Sequence, residues 1–370
     1  MKLFHSGGKR EFMKILHVTR SIAHVEGGPA RSVQGLVAAQ IRAGQEAWLL
    51  ALRKGPRPWV EGIENFSDTE EFENVAFRFK PDIVHIHGLW DLDEHRCVLI
   101  CRRWKIPYVI SPRGMLDPWA LSVKKWKKRL GMILYQRNDL RCASGFHATA
   151  DAEALHIRDR KLKQPIIVSP NGVDYPCQMP ERVAFDGYKG KTALFLSRLH
   201  PGKGLATLVE AWNSVRPKGW RMLVVGPDTY DHKKDVVALL SEYGIADDWK
   251  FIDAVNDEEK WRIYRSSDLL VHPSISENFG MTIAEGLASE LPVIATKGAP
   301  WSELETNKCG WWIDIGVDSL IAALSDATSL SDNERFEMGK RGRKLIEEKY
   351  TWDSAAEKMI EGYKEVLKWR

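Results

Sequence analysis

Two glutamates eight residues apart, Glu277 and Glu285, lie in the stretch SISENFGMTIAEGLASELPVIA. Carboxylates accept hydrogen bonds from sugar and ribose hydroxyls, and a helix starting between them turns free backbone N–H groups toward an anion such as a diphosphate. The spacing alone more often marks a solvated loop followed by a solvated helix face. A second group is Arg198 and Lys203, with Gly202 and Gly204 beside the lysine. Two cations on a loop before a helix can meet the charge that develops on a leaving diphosphate; the plainer alternative is a charged surface loop. In DIVHIHG, His85 and His87 share one face of a strand, because alternate residues point the same way. They could ligate a metal, but no third ligand is evident nearby, and strand-end polar residues lining a cleft are the alternative. Arg113, just after YVISP, keeps its charge and can fork onto phosphate or carboxylate.

These side chains need strands to place them. LLVH, residues 269–272, is an apolar run stopped by Pro273. A loop carrying Glu277, Asn278, Phe279 and Gly280 follows, then helical spacing over 281–287 and the strand PVIA. Strand, loop, helix, strand is the grammar of a parallel sheet, whose ligands sit beyond the carboxyl ends of the strands. TALFL, MLVVG and WKFID extend the same pattern, with helical spacing at 236–243 and 258–264. The first half repeats it: KILHV, a loop with Gly27, Gly28 and Pro29, a helix ending near Gly44, then EAWLLALRKG, DIVHIHG, YVISP, GFHATADAE with Thr149 or Asp151 as a helix cap, and PIIV. Asp91-Leu92-Asp93 reads as loop and helix cap. A strand, glycine loop and helix at the start also suits a dinucleotide enzyme. Against that, the loop reads VEGGPA and not GxGxxG, and the next strand ends without an acidic residue for an adenosine ribose.

With 370 residues, 44% of them hydrophobic and 28% charged, the chain suits two globular domains of roughly 150 to 200 residues. Residues 1–172 carry 28 Lys and Arg against 18 Asp and Glu, the remainder 26 against 32. The first half is therefore basic and the second mildly acidic. Five cysteines without a C-x-x-C pair argue against a disulfide framework or zinc site and fit a reducing cytoplasm. No apolar run approaches the roughly 20 residues of a membrane span, nor is there a signal-peptide core. Residues 1–12 read as a leader, with Met13 as an alternative start. Residues 122–137, SVKKWKKRLGMILYQR, read either as a solvated helix face or as an interfacial helix resting on anionic lipid. Nucleic acid would attract the same charges, but no recognition motif supports it.

ENFGMTIAEG followed by PVIAT and Gly298, with SRL and KG around Arg198 and Lys203, closely resembles the E-x7-E signature of GT-B-fold retaining glycosyltransferases of family four, the group 1 glycosyl transferases. The resemblance implies an α/β protein with two Rossmann-like doubly wound parallel-sheet domains facing a central cleft. Residues 13–172 would be the acceptor domain, 173–350 the nucleotide-sugar domain, and 351–370 a helix returning to the first. It assigns Glu277 and the amides of Phe279 and Gly280 to the donor sugar, Glu285 to the ribose, and the amides of Met281 and Thr282 to the diphosphate. Arg198 and Lys203 become a diphosphate clamp. Asn171 and Asp174 of NGVD face the donor cleft, Gly27 and Gly28 let backbone approach acceptor or diphosphate, and His87 and Arg113 line the acceptor side. Arg113 departs from the histidine that many relatives carry there, and IDAV at 252–255 lacks the usual glycine of the base-binding loop. The implied activity is retaining, metal-independent transfer from a nucleotide-diphosphate sugar, with no other cofactor, to a saccharide acceptor; the basic stretch at 122–137 points to a lipid-linked saccharide in surface polysaccharide biosynthesis. The expected location is the cytoplasm, peripheral on the inner face of the membrane. Two alternatives share the fold: a nucleotide-sugar epimerase and a non-catalytic carbohydrate-binding relative.

Overall fold

Short apolar runs separated by polar, glycine-bearing turns become parallel strands with helices between them. The computed structural model describes residues 12–23, 28–176, 179–228 and 231–369; residues 1–11 of the expected leader, Gly27 and Cys177 lie outside these. The chain divides into two compact units, Met1–Gly172 with Trp352–Arg370, and Val173–Thr351.

In the first unit the strands are β1 (Lys14–Thr19), β2 (Glu46–Ala51), β3 (Phe66–Ser67), β4 (Ile83–His87), β5 (Tyr108–Ser111), β6 (Gly145–Ala148) and β7 (Ile166–Val168). They form one sheet in the order β3-β2-β1-β4-β5-β6-β7, parallel at every described pairing. Such strands need apolar cover on both faces. Leu16, Val18, Val84 and Ile86 pack with Phe72, Phe79, Cys97 and Val98 from helices Phe72–Phe79 and Leu92–Arg103. On the other face Ile15, Leu49, Ile83 and Val109 meet helix Gly28–Arg42, and helix Trp352–Lys368 brings Trp352, Met359 and Tyr363 into the same core.

The second unit has β8 (Lys191–Leu196), β9 (Trp220–Val225), β10 (Trp249–Ile252), β11 (Leu269–His272), β12 (Val293–Thr296) and β13 (Gly310–Ile313), ordered β10-β9-β8-β11-β12-β13 and again parallel. In each sheet the first strand lies between the second and a later one, β1 between β2 and β4, β8 between β9 and β11. The strand order reverses there, so connections leave in opposite directions and open a crevice at the carboxyl ends.

Local details depart from the sequence expectations in four places. β3 is two residues long and shows no periodicity to read, while β13, GWWI, is a half-buried strand at one end of its sheet. Neither Thr149 nor Asp151 caps helix Asp151–Arg158: the N-cap is Ala150, and Glu153 reaches back to accept from Thr149 N at 2.8 Å. Residues 122–137 are not one helix. Lys124 adopts a left-handed backbone, φ 50°, between helix Pro118–Ser122 and helix Lys125–Gly131, and a π turn at Met132–Gln136 leads into Arg137–Cys142. Asp91 caps Leu92–Arg103 by accepting from Asp93 N at 2.9 Å.

Candidate functional site

Three loops lock together at the switch point of the second unit. After β8 the chain runs through Arg198 into a tight turn at Pro201–Lys203, and Gly204, φ 73°, starts helix Leu205–Val215. A Cβ on Gly204 would lie 2.0 Å from the Pro273 carbonyl oxygen, so only glycine lets this turn seat on the loop after β11. Ile275 N donates to Gly202 O at 2.9 Å and Glu277 N to Gly298 O at 2.7 Å. Gly298 is equally constrained, since a Cβ there would stand 2.4 Å from Ser274 O. The backbone of Glu277 is thus tied to the loop after β12.

Its side chain is held as firmly. Lys203 Nζ lies 2.5 Å from Glu277 Oε1, and His272 Nε2 donates to the same oxygen at 2.8 Å. Burial opposes ionisation of Glu277, but the His272 hydrogen bond and the Lys203 ammonium outweigh it and hold the carboxyl well below the ordinary range. At neutral pH Glu277 is an anion with one oxygen spent on the protein. Eight residues on, Glu285 is buried in helix Met281–Ala288; Lys260 Nζ sits 2.8 Å from Oε1, and Tyr264 OH donates to Oε2 at 3.0 Å. Gly280, φ 85°, opens this helix, so the amides of Met281 and Thr282 belong to its first turn, where backbone donors have no partner within the helix. Phe279 contributes backbone only: its ring is buried against Trp301 and Tyr350, and its carbonyl accepts from Trp301 Nε1. Arg198 is exposed and forms no ion pair among the described residues. Asp174 is half-buried just past the boundary between the units.

The first unit gathers a second cluster at its own switch point. His87 at the end of β4 lies between His17 of β1 and Arg113: Arg113 Nη2 to His87 Nδ1 is 2.9 Å, His87 Nε2 to His17 Nδ1 is 2.9 Å, and His17 Nε2 to Gln40 Oε1 is 2.7 Å. Guanidinium can only donate, so His87 Nδ1 accepts, its Nε2–H donates to His17 Nδ1, and His17 Nε2–H donates to the Gln40 carbonyl. A parallel chain starts at Tyr363, whose hydroxyl donates to His85 Nδ1 at 2.6 Å. It continues through His85 Nε2 to Ser111 Oγ at 2.7 Å, Ser111 Oγ to His147 Nδ1 at 2.7 Å, and His147 Nε2 to the Ser169 carbonyl at 2.9 Å. Burial is the main cause that pushes His17 down to about 4 and His147 to about 3, with His85 and His87 also well below the usual value. All four are neutral at pH 7.

His17, His85 and His87 are close enough to hold a metal ion, so the sequence reading that saw no third ligand is corrected: β1 supplies it across the sheet. Yet each of the six ring nitrogens already has a hydrogen-bond partner, and Arg113 adds a positive charge beside His87. The donor set as arranged fits a polar network better than a cation. Asn171 joins it, accepting from Arg113 Nη1 at 3.1 Å. Gly28 is exposed at the start of the first helix, and Gly27 lies outside the described residues. The sequence reading missed His17, His147, Ser111 and Tyr363 here, and His272, Lys260 and Tyr264 in the second unit. Only the last pair left a signal, four residues apart on one helix face.

Two Rossmann-like units, each with polar residues converging at the carboxyl ends of its central strands, define a GT-B protein of the α/β class. Residues 184–345 match the family described as glycosyl transferases group 1, and residues 27–172 match the glycosyl transferase 4-like domain. An uncharacterized glycosyltransferase of Methanocaldococcus jannaschii is 27% identical over 95% of this chain and 98% of its own length. A GDP-mannose-dependent alpha-(1-6)-phosphatidylinositol monomannoside mannosyltransferase of Mycobacterium tuberculosis is 31% identical over 46% of each chain. Among solved structures, Anabaena HepE in complex with UDP and glucose superposes with a TM-score of 0.76 at 18% identity, covering 95% of this chain and all of that one. The chain belongs to the group 1 glycosyl transferases and is an enzyme of that class.

Proposed function

We propose that the enzyme is a retaining, metal-independent glycosyltransferase that moves a sugar from a nucleotide-diphosphate sugar to a saccharide or lipid-linked saccharide acceptor in surface polysaccharide biosynthesis. The observation that carries this reading is Glu277, an ionised carboxylate clamped by Lys203 and His272 at the switch point of the second unit. Its remaining oxygen is suited to hydroxyls of the donor sugar, and Glu285 to the ribose. Lys203, Arg198 and the first amides of helix Met281–Ala288 supply the positive charge that the departing diphosphate needs. In the proposed step the acceptor oxygen bonds to the anomeric carbon on the face from which the phosphate oxygen leaves, and the acceptor proton passes to that phosphate. Lys203 then exchanges part of its Glu277 contact for the diphosphate. The names of the mycobacterial relative and of HepE, one with a phosphatidylinositol acceptor and one with UDP, support a nucleotide-sugar donor and a lipid-linked acceptor.

The test is thermal stability in UDP, GDP, ADP and dTDP with and without magnesium, followed by transfer with the matching sugar donor. A ligand at 100 times its dissociation constant adds about 2.7 kcal/mol, and one nucleoside diphosphate is expected to give a stabilisation of that size without magnesium. Glu277→Gln is expected to lower transfer by roughly 100-fold or more while keeping nucleotide binding. Transfer within a few-fold of the wild type would remove Glu277 from this role. We also propose that the enzyme works on the cytoplasmic face of the membrane, docked through residues 122–137. Salt-sensitive binding to anionic vesicles is the signature of that docking.

A further inference from the structure

Arg113 is nearly enclosed, with 9% of its surface exposed, yet no carboxylate lies within ion-pair distance of it among the described residues. A buried cation is expected to be paired. The carboxylate whose charge acts on it, Glu153, is spent elsewhere: Oε1 accepts from Gly114 N at 2.7 Å, and Oε2 from Thr149 N at 2.8 Å and Thr149 Oγ1 at 3.2 Å. What Arg113 does touch is neutral. His87 Nδ1 takes one Nη2 hydrogen and Asn171 Oδ1 one Nη1 hydrogen, while Nε is buried with no partner. Of five N–H donors, three remain unspent among the described residues, one of them the enclosed Nε–H and the other two on Nη1 and Nη2.

The surroundings keep it so. The chain from Arg113 through His87 and His17 to Gln40 runs in one direction, so His87 must accept from the guanidinium and fixes its plane. The backbone of Arg113 is left-handed, φ 54°, and Gly114 follows at φ 76°. A residue with a Cβ stands in a conformation that glycine adopts without strain, a pattern that concentrates at functional sites.

We propose that Arg113 is an anion receptor of the first unit, binding one carboxylate or phosphate group of a substrate through its free Nη hydrogens. This rests on the glycosyltransferase reading and narrows it: one of the two substrates carries a negative charge besides the nucleotide diphosphate. A carboxylate would come from an acidic sugar, a phosphate from a phosphorylated sugar or lipid carrier.

The experiment is an NMR titration of the full-length protein with 15N-labelled arginine, following the Nε–Hε signal of Arg113, which is assigned by its disappearance in Arg113→Lys. The probes are glucuronate, inorganic phosphate and neutral glucose. The expected result is a saturable change in that signal with at least one anion and none with glucose, and the anion that acts names the source. A signal unmoved by both anions, or one that only drifts with ionic strength alongside the other arginines, overturns the proposal. Because the wild-type signal is the readout, the result does not depend on how well a variant folds. Nucleoside diphosphate binding, read by thermal stability, reports on the second unit separately. If it persists while Arg113 is silent, only the anion receptor fails; if it is absent while Arg113 responds, only the donor assignment fails.

Discussion

Lys260 stands between two carboxylates, 2.8 Å from Glu285 and 3.2 Å from Asp257, with its ammonium 5.0 Å from the centre of the Trp261 ring. Together with Tyr264 OH it occupies both oxygens of Glu285, so the residue proposed to hold the ribose is aimed before any nucleotide arrives. Removing the cation leaves a buried carboxylate with one neutral donor, and a charge-assisted hydrogen bond contributes roughly 1.5 to 3 kcal/mol. Ribose contacts are the same in ground and transition states, so the loss belongs in KM. Lys260→Met is expected to raise the donor KM about 10-fold or more, about 1.4 kcal/mol per factor of ten, with kcat within a few-fold. A fall in kcat at unchanged KM would instead place Lys260 with the leaving group. At this scale the sequence offered Glu277, Glu285, Lys203 and Arg198 from one string or register, and the structure pairs Lys203 with Glu277 while leaving Arg198 exposed. The sequence was silent on His17, His147 and His272, because a histidine inside an apolar strand looks the same whether it faces core or crevice.

Helix Lys125–Gly131 and the turn after it show what an element can carry beyond its residues. Trp126, Ile133 and Leu134 are about 70% exposed and Leu130 half exposed, at positions i, i+4, i+7 and i+8, which fall on one helix face. Lys124, Lys125, Lys127 and Arg129 are exposed around them. Exposed apolar side chains among cations match a bilayer with anionic headgroups, each cation contributing about 1 kcal/mol near the surface. In flotation with vesicles containing anionic lipid, the protein is expected to bind in low salt and release in high salt. Ile133→Glu should weaken binding at least about 10-fold, placing a charge where hydrocarbon is expected. Equal binding to neutral vesicles, or no loss in the variant, would return this face to solvent. The strands were readable because buried parallel strands are unbroken apolar runs. The break at Lys124 was not, since a lysine in a left-handed turn has no signature in a charged stretch.

Over the whole molecule, four buried neutral histidines set a pH limit on the first unit. Their folded pKa values lie below the unfolded 6.5, so the stability they contribute is present above pH 6.5 and is lost as pH falls, for His17 until about pH 4. A tenfold change in proton affinity corresponds to about 1.4 kcal/mol, so the lowering of His17 from 6.5 to about 4 accounts for about 3 kcal/mol by itself. Glu94, which burial pushes to about 8, works the other way, and Glu153 and Asp139, also raised mainly by burial, do likewise; Arg113 is positive throughout and further opposes protonation of the four. The histidines dominate by number, four against these three carboxyls. The midpoint of thermal unfolding is therefore expected to drop steadily from pH 7 to pH 5, and a flat profile across that range would mean that the histidines already carry protons in the folded state. By itself the sequence determined the fold class, the two-unit architecture and the E-x7-E string, because apolar periodicity and contiguous motifs are local properties that survive in one dimension. Only the tertiary structure decided that His17 meets His87, that His272 and Lys203 converge on Glu277, and that Arg113 has no counter-ion among the described residues. Those are pairings between strand ends and loops separated along the chain, brought together by the crossover order of a parallel sheet.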